Sequence, residues 1–239
     1  MTHKLRVGVV GTGHFGRHHV RIYSELDEVE LVGVCDLDEP RAREFADRFD
    51  TAACTDHREL LGKVDAVSVA VPTVKHLEVA RDFLNEGVSV LVEKPIAQSS
   101  EEAREMVRLA AASGAKLQVG HVNRFSPAVL AMREMDIQPK FLEVHRLSAF
   151  SFRSLDVGVV LDLMIHDIDL VLTLVGGNVT HVDAVAFALI GNTEDICNAR
   201  LRFDNNCVVN MTASRVSLKT LRKIRIFSPD AYILSLIHI

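Results

Sequence analysis

The chain has 239 residues, of which 48% are hydrophobic and 25% are charged. This composition is ordinary for a globular protein and excludes an intrinsically disordered chain, which carries few apolar residues and a high net charge. The net charge of −5 at pH 7 argues against binding to nucleic acid, whose phosphates attract basic surfaces. Residues 1–119 hold 15 basic and 20 acidic side chains, so the net charge of −5 lies entirely in this half and the second half is neutral. This difference in composition favours two domains.

The first half of the chain alternates short valine-rich runs with longer amphipathic stretches. Such runs are typical of buried parallel strands, and the stretches between them are typical of helices. The predicted strands are Leu5–Val10, Val29–Cys35, Ala66–Val71, Val88–Val92 and Lys116–Val119, and the predicted helices are Phe15–Leu26, Arg41–Phe49, Val74–Glu86 and Glu101–Ser113. This alternation predicts an α/β domain over residues 1–119, a doubly wound parallel sheet of the Rossmann type.

The second half has a different pattern. Two helices are predicted at Pro127–Met135 and Val157–Val175, and the run Asp204-Asn205-Asn206 predicts a hairpin turn. The predicted strands are Lys140–Phe150, Val179–Ile190, Cys197–Phe203, Cys207–Ser214 and Leu221–Phe227. Successive strands favour an open, mainly antiparallel sheet, so we expect an α+β domain over residues 120–239.

A glycine loop follows the first predicted strand. Gly11, Gly13 and Gly16 form the pattern G-x-G-x-x-G, with His14 and Phe15 before the last glycine. Between a strand and a helix this pattern predicts dinucleotide binding, because the backbone and the helix N-terminus approach a pyrophosphate. The alternative is a plain strand-turn-helix connection.

Asp36 ends the second predicted strand, 20 residues after Gly16. A carboxylate at this place accepts hydrogen bonds from ribose hydroxyls and repels a 2′-phosphate. The sequence therefore predicts NAD rather than NADP, although Arg41 and Arg43 are near enough in sequence to serve a phosphate.

Two further clusters combine charged and apolar residues. Lys94 lies between Glu93 and Pro95 at the carboxyl end of a predicted strand, where open α/β sheets bind ligands, and it is a candidate donor to a substrate oxygen. Asp162 and His166 lie four residues apart on one face of a predicted helix, an arrangement in which a carboxylate orients a general base. The alternatives are a surface turn for Lys94 and a buried polar cluster for the helix; we expect no metal site.

The cysteines, Cys35, Cys54, Cys197 and Cys207, form no C-x-x-C pair, which argues against a zinc site and a redox motif. Free thiols in apolar stretches suit a reducing cytoplasm. The N-terminus lacks the features of a signal peptide, and no apolar run reaches the ~18 residues of a membrane helix. We therefore expect a cytoplasmic protein without a membrane segment.

In this order and spacing, the motifs resemble those of the Gfo/Idh/MocA family of oxidoreductases, named after glucose–fructose oxidoreductase, inositol dehydrogenase and MocA. The resemblance covers nearly the whole chain and rests also on the run Val71-Pro72-Thr73-x-x-His76, on Arg17 and His19, on Gln118-x-Gly120 and on Arg124-Phe125. It implies a Rossmann domain followed by a domain whose open sheet carries substrate contacts on one side. Subunit contacts on the other side imply a homo-oligomer, a dimer or tetramer.

The resemblance also implies roles for single residues. Lys94 matches the residue that binds the substrate oxygen and the nicotinamide ribose of the cofactor. His166 matches the general acid/base, and Asp162 matches the residue that assists it. The further positions that match the cofactor-binding loops are Val71, Pro72, Thr73, His76, Glu93 and Pro95. The further positions implied to bind substrate are His121, Asn123, Arg124 and Arg153.

The implied activity is NAD-dependent transfer of a hydride from a hydroxyl of a sugar, nucleotide sugar or cyclitol. The segment from Arg153 to His166 resembles the branch that oxidises the 3-hydroxyl of UDP-N-acetylglucosamine, and Arg124, Arg146 and Arg153 are candidates for contacting its diphosphate. Ordinary surface ion pairs are the alternative for these arginines. The alternative functions are an NAD-dependent glycosidase of the same family and a non-catalytic NAD-binding regulator.

The end of the chain departs from the family pattern after Ile233. Residues 234–239 do not continue that pattern, and we expect them to be a non-native tail on a truncated enzyme. A truncated second sheet would leave an exposed apolar edge strand, so this form is expected to be weakly active.

Overall fold

The computed structural model describes residues 4–135, 137–150 and 157–238. The chain divides into two compact units, Met1–Gly120 and His121–Ile239. Within the described residues, no helix combines the length and the apolar character needed to cross a membrane.

The first unit contains six strands and four α-helices. The strands are β1 (Leu5–Val10), β2 (Val29–Cys35), β3 (Ala52–Cys54), β4 (Ala66–Val69), β5 (Ser89–Val92) and β6 (Leu117–Val119). The helices are α1 (Gly16–Glu25), α2 (Glu39–Phe49), α3 (His76–Asn85) and α4 (Ser100–Ser113). The strands are all parallel and follow the order β3-β2-β1-β4-β5-β6, the order of the doubly wound Rossmann sheet that the sequence predicts.

Both faces of this sheet carry a hydrophobic core, because successive side chains of a strand point to opposite faces. On one face, Val9 of β1 packs with Val20 of α1 and Ala46 of α2. On the other face, Val10 belongs to the cluster that contains Phe83 of α3 and Met106 of α4. Helices on both faces leave the carboxyl ends of the strands as the edge where loops can form a site.

In the part of the second unit that the structure describes there are six strands and two α-helices. The strands are β7 (Phe141–Leu147), β8 (Val179–Phe187), β9 (Ile196–Phe203), β10 (Val208–Ser214), β11 (Leu221–Phe227) and β12 (Tyr232–His238). The helices are α5 (Pro127–Glu134) and α6 (Ile165–Val175). The sheet has the order β12-β11-β7-β10-β9-β8, and every pair is antiparallel except β7 with β10.

One face of the second sheet packs against α5 and α6. Leu142 and Val144 of β7 join Val129 of α5 and Leu170 of α6 in one buried cluster. The residues between them in β7, including Glu143, point to the opposite face and are only partly buried. This sheet is therefore open on the side away from the helices.

The structure differs from the sequence prediction at three places. Two strands, the three-residue β3 and the seven-residue β12, were not predicted, and the predicted helix Val157–Val175 is a π-helical turn at Val160–Met164 followed by α6. The expectation that residues 234–239 are a non-native tail on a truncated enzyme is not borne out, because β12 extends to His238 and pairs with β11 along its length. Arg153 lies outside the described residues.

Candidate functional site

The glycine loop joins β1 to α1 in a conformation that only glycine adopts easily. Gly11 has a φ of +89°, and a Cβ at this residue would lie 2.6 Å from the carbonyl oxygen of Ala70. A Cβ at Gly16 would lie 1.7 Å from the carbonyl oxygen of Gly11. These two glycines are therefore required by close backbone packing.

Gly13 has a different environment. A Cβ at Gly13 would have no protein atom within 4 Å, although the residue lies in the middle of the loop. It faces a cavity of about 1000 Å³, which His14, Phe15, Val71 and Pro72 also line. This volume is at the upper end of the usual range for small-molecule pockets, about 300–1,000 Å³. A dinucleotide fits here, because its phosphates need a close approach to the loop backbone.

Asp36 lines the same cavity at the end of β2. Its Oδ2 accepts hydrogen bonds from the Thr12 amide at 2.8 Å and the Thr12 hydroxyl at 2.9 Å, and its Oδ1 accepts one from the Asp38 amide at 3.0 Å. Arg41 donates to both oxygens, with Nη2 to Oδ1 at 2.8 Å. Burial raises the pKa of Asp36, but the hydrogen bonds from Arg41, Asp38 and Thr12 outweigh it and lower the pKa to about 2. The carboxylate is thus an acceptor only, as hydroxyl recognition requires.

The two arginines that could serve a phosphate are both engaged with carboxylates. Arg41 binds Asp36, and Arg43 forms an exposed pair with Glu39. A ribose that bonds to Asp36 would replace the Arg41 contacts, because a carboxylate has about four lone-pair sites and this one already accepts five hydrogen bonds. This arrangement favours hydroxyls over a 2′-phosphate at Asp36.

His76, one of the predicted cofactor-binding residues, is buried inside the first unit. It is only 1% exposed, with Nδ1 lying 2.9 Å from the carbonyl oxygen of Pro95 and Nε2 lying 3.0 Å from that of Val71. The imidazole therefore links the ends of two neighbouring strands. Thr73 begins a 3₁₀ turn that leads into α3. His76 thus holds the loop that follows Lys94, whose peptide bond to Pro95 is cis.

Glu93 is part of a partly buried chain of polar side chains. Its Oε1 lies 2.9 Å from His19 Nε2, whose Nδ1 lies 3.1 Å from the Ser68 hydroxyl, and that hydroxyl contacts the Tyr23 hydroxyl at 2.7 Å. Glu93 Oε2 accepts a bond from the Lys94 amide at 3.3 Å. The glutamate therefore connects α1 and β4 to the backbone of Lys94, and sequence reasoning missed the Ser68 and Tyr23 part of this chain.

In the second unit, Asp162 lies in the π-helical turn and His166 in the first turn of α6. The four-residue spacing keeps them on one side of the helical segment. Short π-helical stretches inside helices are rare in proteins overall. Where they occur, they are often found at functional sites. The irregularity therefore coincides with the predicted catalytic pair.

Two ion pairs hold α6 on either side of His166. Asp167 binds Arg146 of β7 with Nη2 to Oδ1 at 2.6 Å, and both side chains are less than 10% exposed. Asp169 accepts a hydrogen bond from Arg124 Nε at 2.7 Å. Burial raises the pKa of Asp167 although Arg146 opposes this shift. Arg146, which the sequence suggested for a diphosphate, is thus bound to Asp167 inside the unit.

The other predicted substrate-binding residues lie just before α5. Asn123 and Arg124 belong to a 3₁₀ turn at Val122–Phe125, and His121 precedes it. His121 Nε2 lies 3.9 Å from Asp169 Oδ1, so this carboxylate holds the turn close to α6. Arg124 remains about two-fifths exposed at its side chain.

Glu194, which sequence reasoning missed, caps the helical segment that carries Asp162. Its carbonyl oxygen accepts a hydrogen bond from the Val159 amide at 2.8 Å, and its carboxylate accepts one from the Val160 amide at 3.3 Å. A Cβ at Gly158 would lie 1.9 Å from that carboxylate, so glycine makes room for it. No local pattern predicts this cap, because 34 residues separate Val160 from Glu194.

Arg215 supports the same place from the end of β10. Its guanidinium donates to Asp195 Oδ1 at 2.7 Å, to the Thr193 hydroxyl and to the Val157 carbonyl oxygen, each of the latter at 2.8 Å. Hydrogen bonds from the Ile190 amide and from Arg215 hold the pKa of Asp195 below its usual range. This buried cluster fixes the backbone just before the π-helical turn.

Among the described residues, no three His, Cys, Asp or Glu side chains are grouped closely enough to hold a metal ion.

Comparisons with known proteins agree with this geometry. Residues 5–121 match the NAD-binding Rossmann fold of the Gfo/Idh/MocA oxidoreductase family. Residues 134–233 match the C-terminal domain of the same family. The chain belongs to the Gfo/Idh/MocA family. The members of this family are NAD-binding oxidoreductases, and the resemblance predicted from the sequence is confirmed.

Relatives of this Gfo/Idh/MocA protein include several sugar and cyclitol dehydrogenases. The UDP-N-acetylglucosamine 3-dehydrogenase of Acidithiobacillus ferrooxidans is 39% identical over 229 residues, which are 95% of this chain and 72% of that protein. A solved structure of that organism's enzyme superposes with a TM-score of 0.91 and 38% identity, over 100% of this chain and 81% of the other. The inositol 2-dehydrogenase of Rhizobium meliloti is 28% identical over 224 residues, covering 88% of this chain and 66% of that protein.

The open space at Gly13 leads to the first prediction. We expect Gly13→Ala to weaken NAD binding moderately and Gly13→Val to weaken it by at least ~10-fold, because the added side chain occupies the space over the loop. The unfolding temperature of both variants should stay close to that of the parent chain, since no protein atom is displaced. Calorimetric titration with NAD and thermal unfolding measure the two quantities. Unchanged NAD affinity in Gly13→Val would show that the dinucleotide does not pass over this residue.

The Glu194 cap leads to a second prediction. Glu194→Ala should lower the free energy of unfolding by about 1 kcal/mol, the usual value of a helix cap. Gly158→Ala should cost a similar amount, because its Cβ expels the Glu194 carboxylate. The double variant should then cost little more than either single variant, as expected for two residues in one contact. Gly191→Ala is the matched control, since its Cβ would lie 4.0 Å from the nearest atom. Additive costs in chemical denaturation would contradict the cap.

Proposed function

We propose that the protein oxidises a ring hydroxyl of a nucleotide sugar with NAD, and that its substrate is UDP-N-acetylglucosamine, oxidised at the 3-hydroxyl. The observation that carries the proposal is the 39% identity to the Acidithiobacillus enzyme over 95% of the chain, a range that includes both units. Two inositol 2-dehydrogenases are lower in both identity and coverage, one 28% identical over 88% of the chain and the other 33% identical over 70%, which supports the nucleotide sugar over a cyclitol.

NAD supplies the hydride acceptor when it is bound, and the protein supplies binding and electrostatics. We propose that the loop Gly11–Gly16 holds the pyrophosphate and that Asp36 holds the adenosine ribose. Val71 and Pro72 line the same cavity, which supports the role assigned to this loop. His76 supports it indirectly, through its contacts with the Val71 and Pro95 carbonyl oxygens.

For the chemical step we propose that His166 takes the proton from the substrate hydroxyl, because an imidazole titrates near neutral pH and transfers protons readily. Asp162, four residues before it, orients the imidazole. The ammonium group of Lys94 stabilises the negative charge that develops on the substrate oxygen. Arg124, Asn123 and His121 are proposed to contact the sugar or its diphosphate, and Arg153 is proposed to do so from outside the described residues.

The reducing cytoplasm remains the proposed location, and the free state of all four cysteines supports it. The proposed ligands are small molecules, consistent with a net charge of −5, which gives no basic field for nucleic acid.

A third prediction tests the activity. The full chain, incubated with NAD and UDP-N-acetylglucosamine, should form NADH in an amount equal to the sugar oxidised. Lys94→Ala and His166→Ala should each lower kcat/KM by about 100-fold or more, since each removes charge stabilisation or proton transfer. NADP should support a lower rate than NAD, because Asp36 repels the 2′-phosphate.

The control for this test is the exposed residue Lys116, whose alanine variant should keep full activity. NADH formation with other sugars but not with the nucleotide sugar would reject the substrate and keep the dehydrogenase. Cleavage of a glycoside without net NADH would instead identify the NAD-dependent glycosidase. NAD binding without turnover of any sugar would favour the non-catalytic regulator.

We also propose that the protein is a homo-oligomer that associates through the open face of the second sheet. Val185 of β8 and Leu234 of β12 are exposed on this face. Leu234 is the register partner of Arg225, and Asp183 lies two residues before Val185 on the same face of β8. An apolar surface in alternation with charges suits a self-complementary contact.

A fourth prediction follows from this surface. Val185→Lys and Leu234→Lys should shift the chain toward a smaller species in light scattering coupled to gel filtration, because each places a charge in the contact. Val107→Lys, on the exposed side of α4, is the control and should not change the mass. A monomeric parent chain at all concentrations would contradict the proposal.

A further inference from the structure

Cys35 and Cys54 lie side by side in the first unit. They are register partners at the carboxyl ends of the parallel strands β2 and β3, and both belong to the same hydrophobic cluster on one face of the sheet. Neighbouring strands lie about 4.8 Å apart, within the Cα separation of roughly 4.4–6.8 Å that a disulfide accepts. Their side chains therefore project in the same direction at a distance that a small backbone adjustment can close.

The two thiols have different environments. Cys35 is 3% exposed, whereas Cys54 is partly exposed, so an oxidant reaches Cys54 first. A hydrogen bond from the Cys35 thiol lowers the pKa of Cys54, and the same contact together with burial raises the pKa of Cys35. Lys63 also lowers the pKa of Cys54, while burial, Glu59 and Asp56 raise it. Cys54 is thus the more nucleophilic member of the pair and Cys35 the resolving thiol.

The backbone of both cysteines holds the proposed dinucleotide site. The Cys35 carbonyl oxygen accepts the hydrogen bond of the Gly11 amide at 2.7 Å, and the Cys54 carbonyl oxygen accepts that of the Asp36 amide at 3.1 Å. Cys35 also lines the cavity that the glycine loop faces. A movement of these two strand ends therefore displaces the glycine loop and the Asp36 carboxylate together.

We propose that Cys35 and Cys54 form a reversible modification site, in which a peroxide converts the thiol pair to a disulfide and thereby weakens dinucleotide binding. The effect on binding rests on the proposed cofactor site, whereas the disulfide itself does not. The Cys54 thiolate attacks one peroxide oxygen, the O–O bond breaks, and a sulfenic acid and hydroxide form. Cys35 then attacks the Cys54 sulfur, and water leaves as the S–S bond forms. Two thiols and one hydrogen peroxide thus give one disulfide and two waters.

The other two cysteines provide an internal comparison. Cys197 of β9 has Ala213 as its register partner on β10, and Cys207 lies in the turn before β10. Both are buried in the second unit. Neither is placed beside a second thiol by the strand register, so we expect oxidation to be confined to the pair in the first unit.

A fifth prediction tests the modification with hydrogen peroxide on the full chain. One equivalent should remove two of the four free thiols, lower the intact mass by the two hydrogens lost, and yield a peptide that joins Cys35 to Cys54. Dithiothreitol should reverse the change. Cys54→Ser should give no such peptide, and Cys207→Ala should behave like the parent chain. Oxidation that adds oxygen without a Cys35–Cys54 link would overturn the proposal.

The effect on binding is measured by titrating NAD into the reduced, oxidised and re-reduced chain. Oxidation should raise the Kd for NAD by at least ~10-fold, with recovery on reduction, and peroxide should leave the Kd of Cys54→Ser at its own untreated value. Cys35→Ala serves in the same way if Cys54→Ser does not fold. A complete disulfide with unchanged NAD affinity would overturn the coupling to binding. Failure of the reduced chain to bind NAD would contradict the cofactor site, and the linked peptide would still decide the modification.

Discussion

The hydrogen bond from the Gly11 amide to the Cys35 carbonyl oxygen, 2.7 Å long, is the contact on which the nucleotide-binding half depends. It joins the glycine loop to the end of β2 and places the loop beside Asp36. A buried amide must have a partner, so the turn at Gly11 forms only where β2 ends at this level. The neighbouring bond from the Asp36 amide to Cys54 extends the same support to β3, a strand of only three residues. The position of the glycine loop at the cavity, the position of Asp36 and the proximity of Cys35 to Cys54 all depend on how these three strand ends pack together.

In the second unit, ion pairs position the helix α6. A helix that carries His166 has to be held at a fixed rotation about its axis, and apolar packing alone permits small rotations. Asp167 and Asp169 bind Arg146 and Arg124, which come from different elements on different sides of α6. Buried carboxylates are costly without such partners, so the two pairs specify one orientation. Glu194 then holds the first amides of the segment.

Local pattern was a reliable guide wherever an element is long or strongly punctuated. The bounds of β1, β2 and β11 agree with those predicted from the sequence, as does the turn between β9 and β10. The prediction failed for β3, because three residues without a flanking signal are too few to show a period. It failed for β12 because residues 234–239 leave the family pattern and were expected to be a non-native tail, whereas the fold pairs them with β11. The π-helical turn was also missed, since its spacing of apolar residues resembles that of an ordinary helix.

The candidate site also separates into residues that belong to local motifs and contacts that only the fold brings together. The glycine loop, Asp36, Lys94, Asp162 and His166 were all predicted from the sequence, because each belongs to a short motif whose residue types and spacing have a chemical reason. The contacts that hold them were not: His76 binds carbonyl oxygens of two loops, Glu93 meets His19 across 74 residues, and Arg215 reaches Val157 across 58.

Composition, periodicity and local spacing therefore determined the class of fold, the resemblance of the motifs indicated the family, and together they predicted the candidate site residues. Only the tertiary structure decided which charged and polar side chains are bound to other parts of the protein. Arg146 illustrates the difference, because a charged residue in a strand looks available until the structure shows a buried carboxylate against it. The physical reason is that the cost of a buried charge is set by its partner, and that partner is selected by the fold rather than by neighbours in the chain.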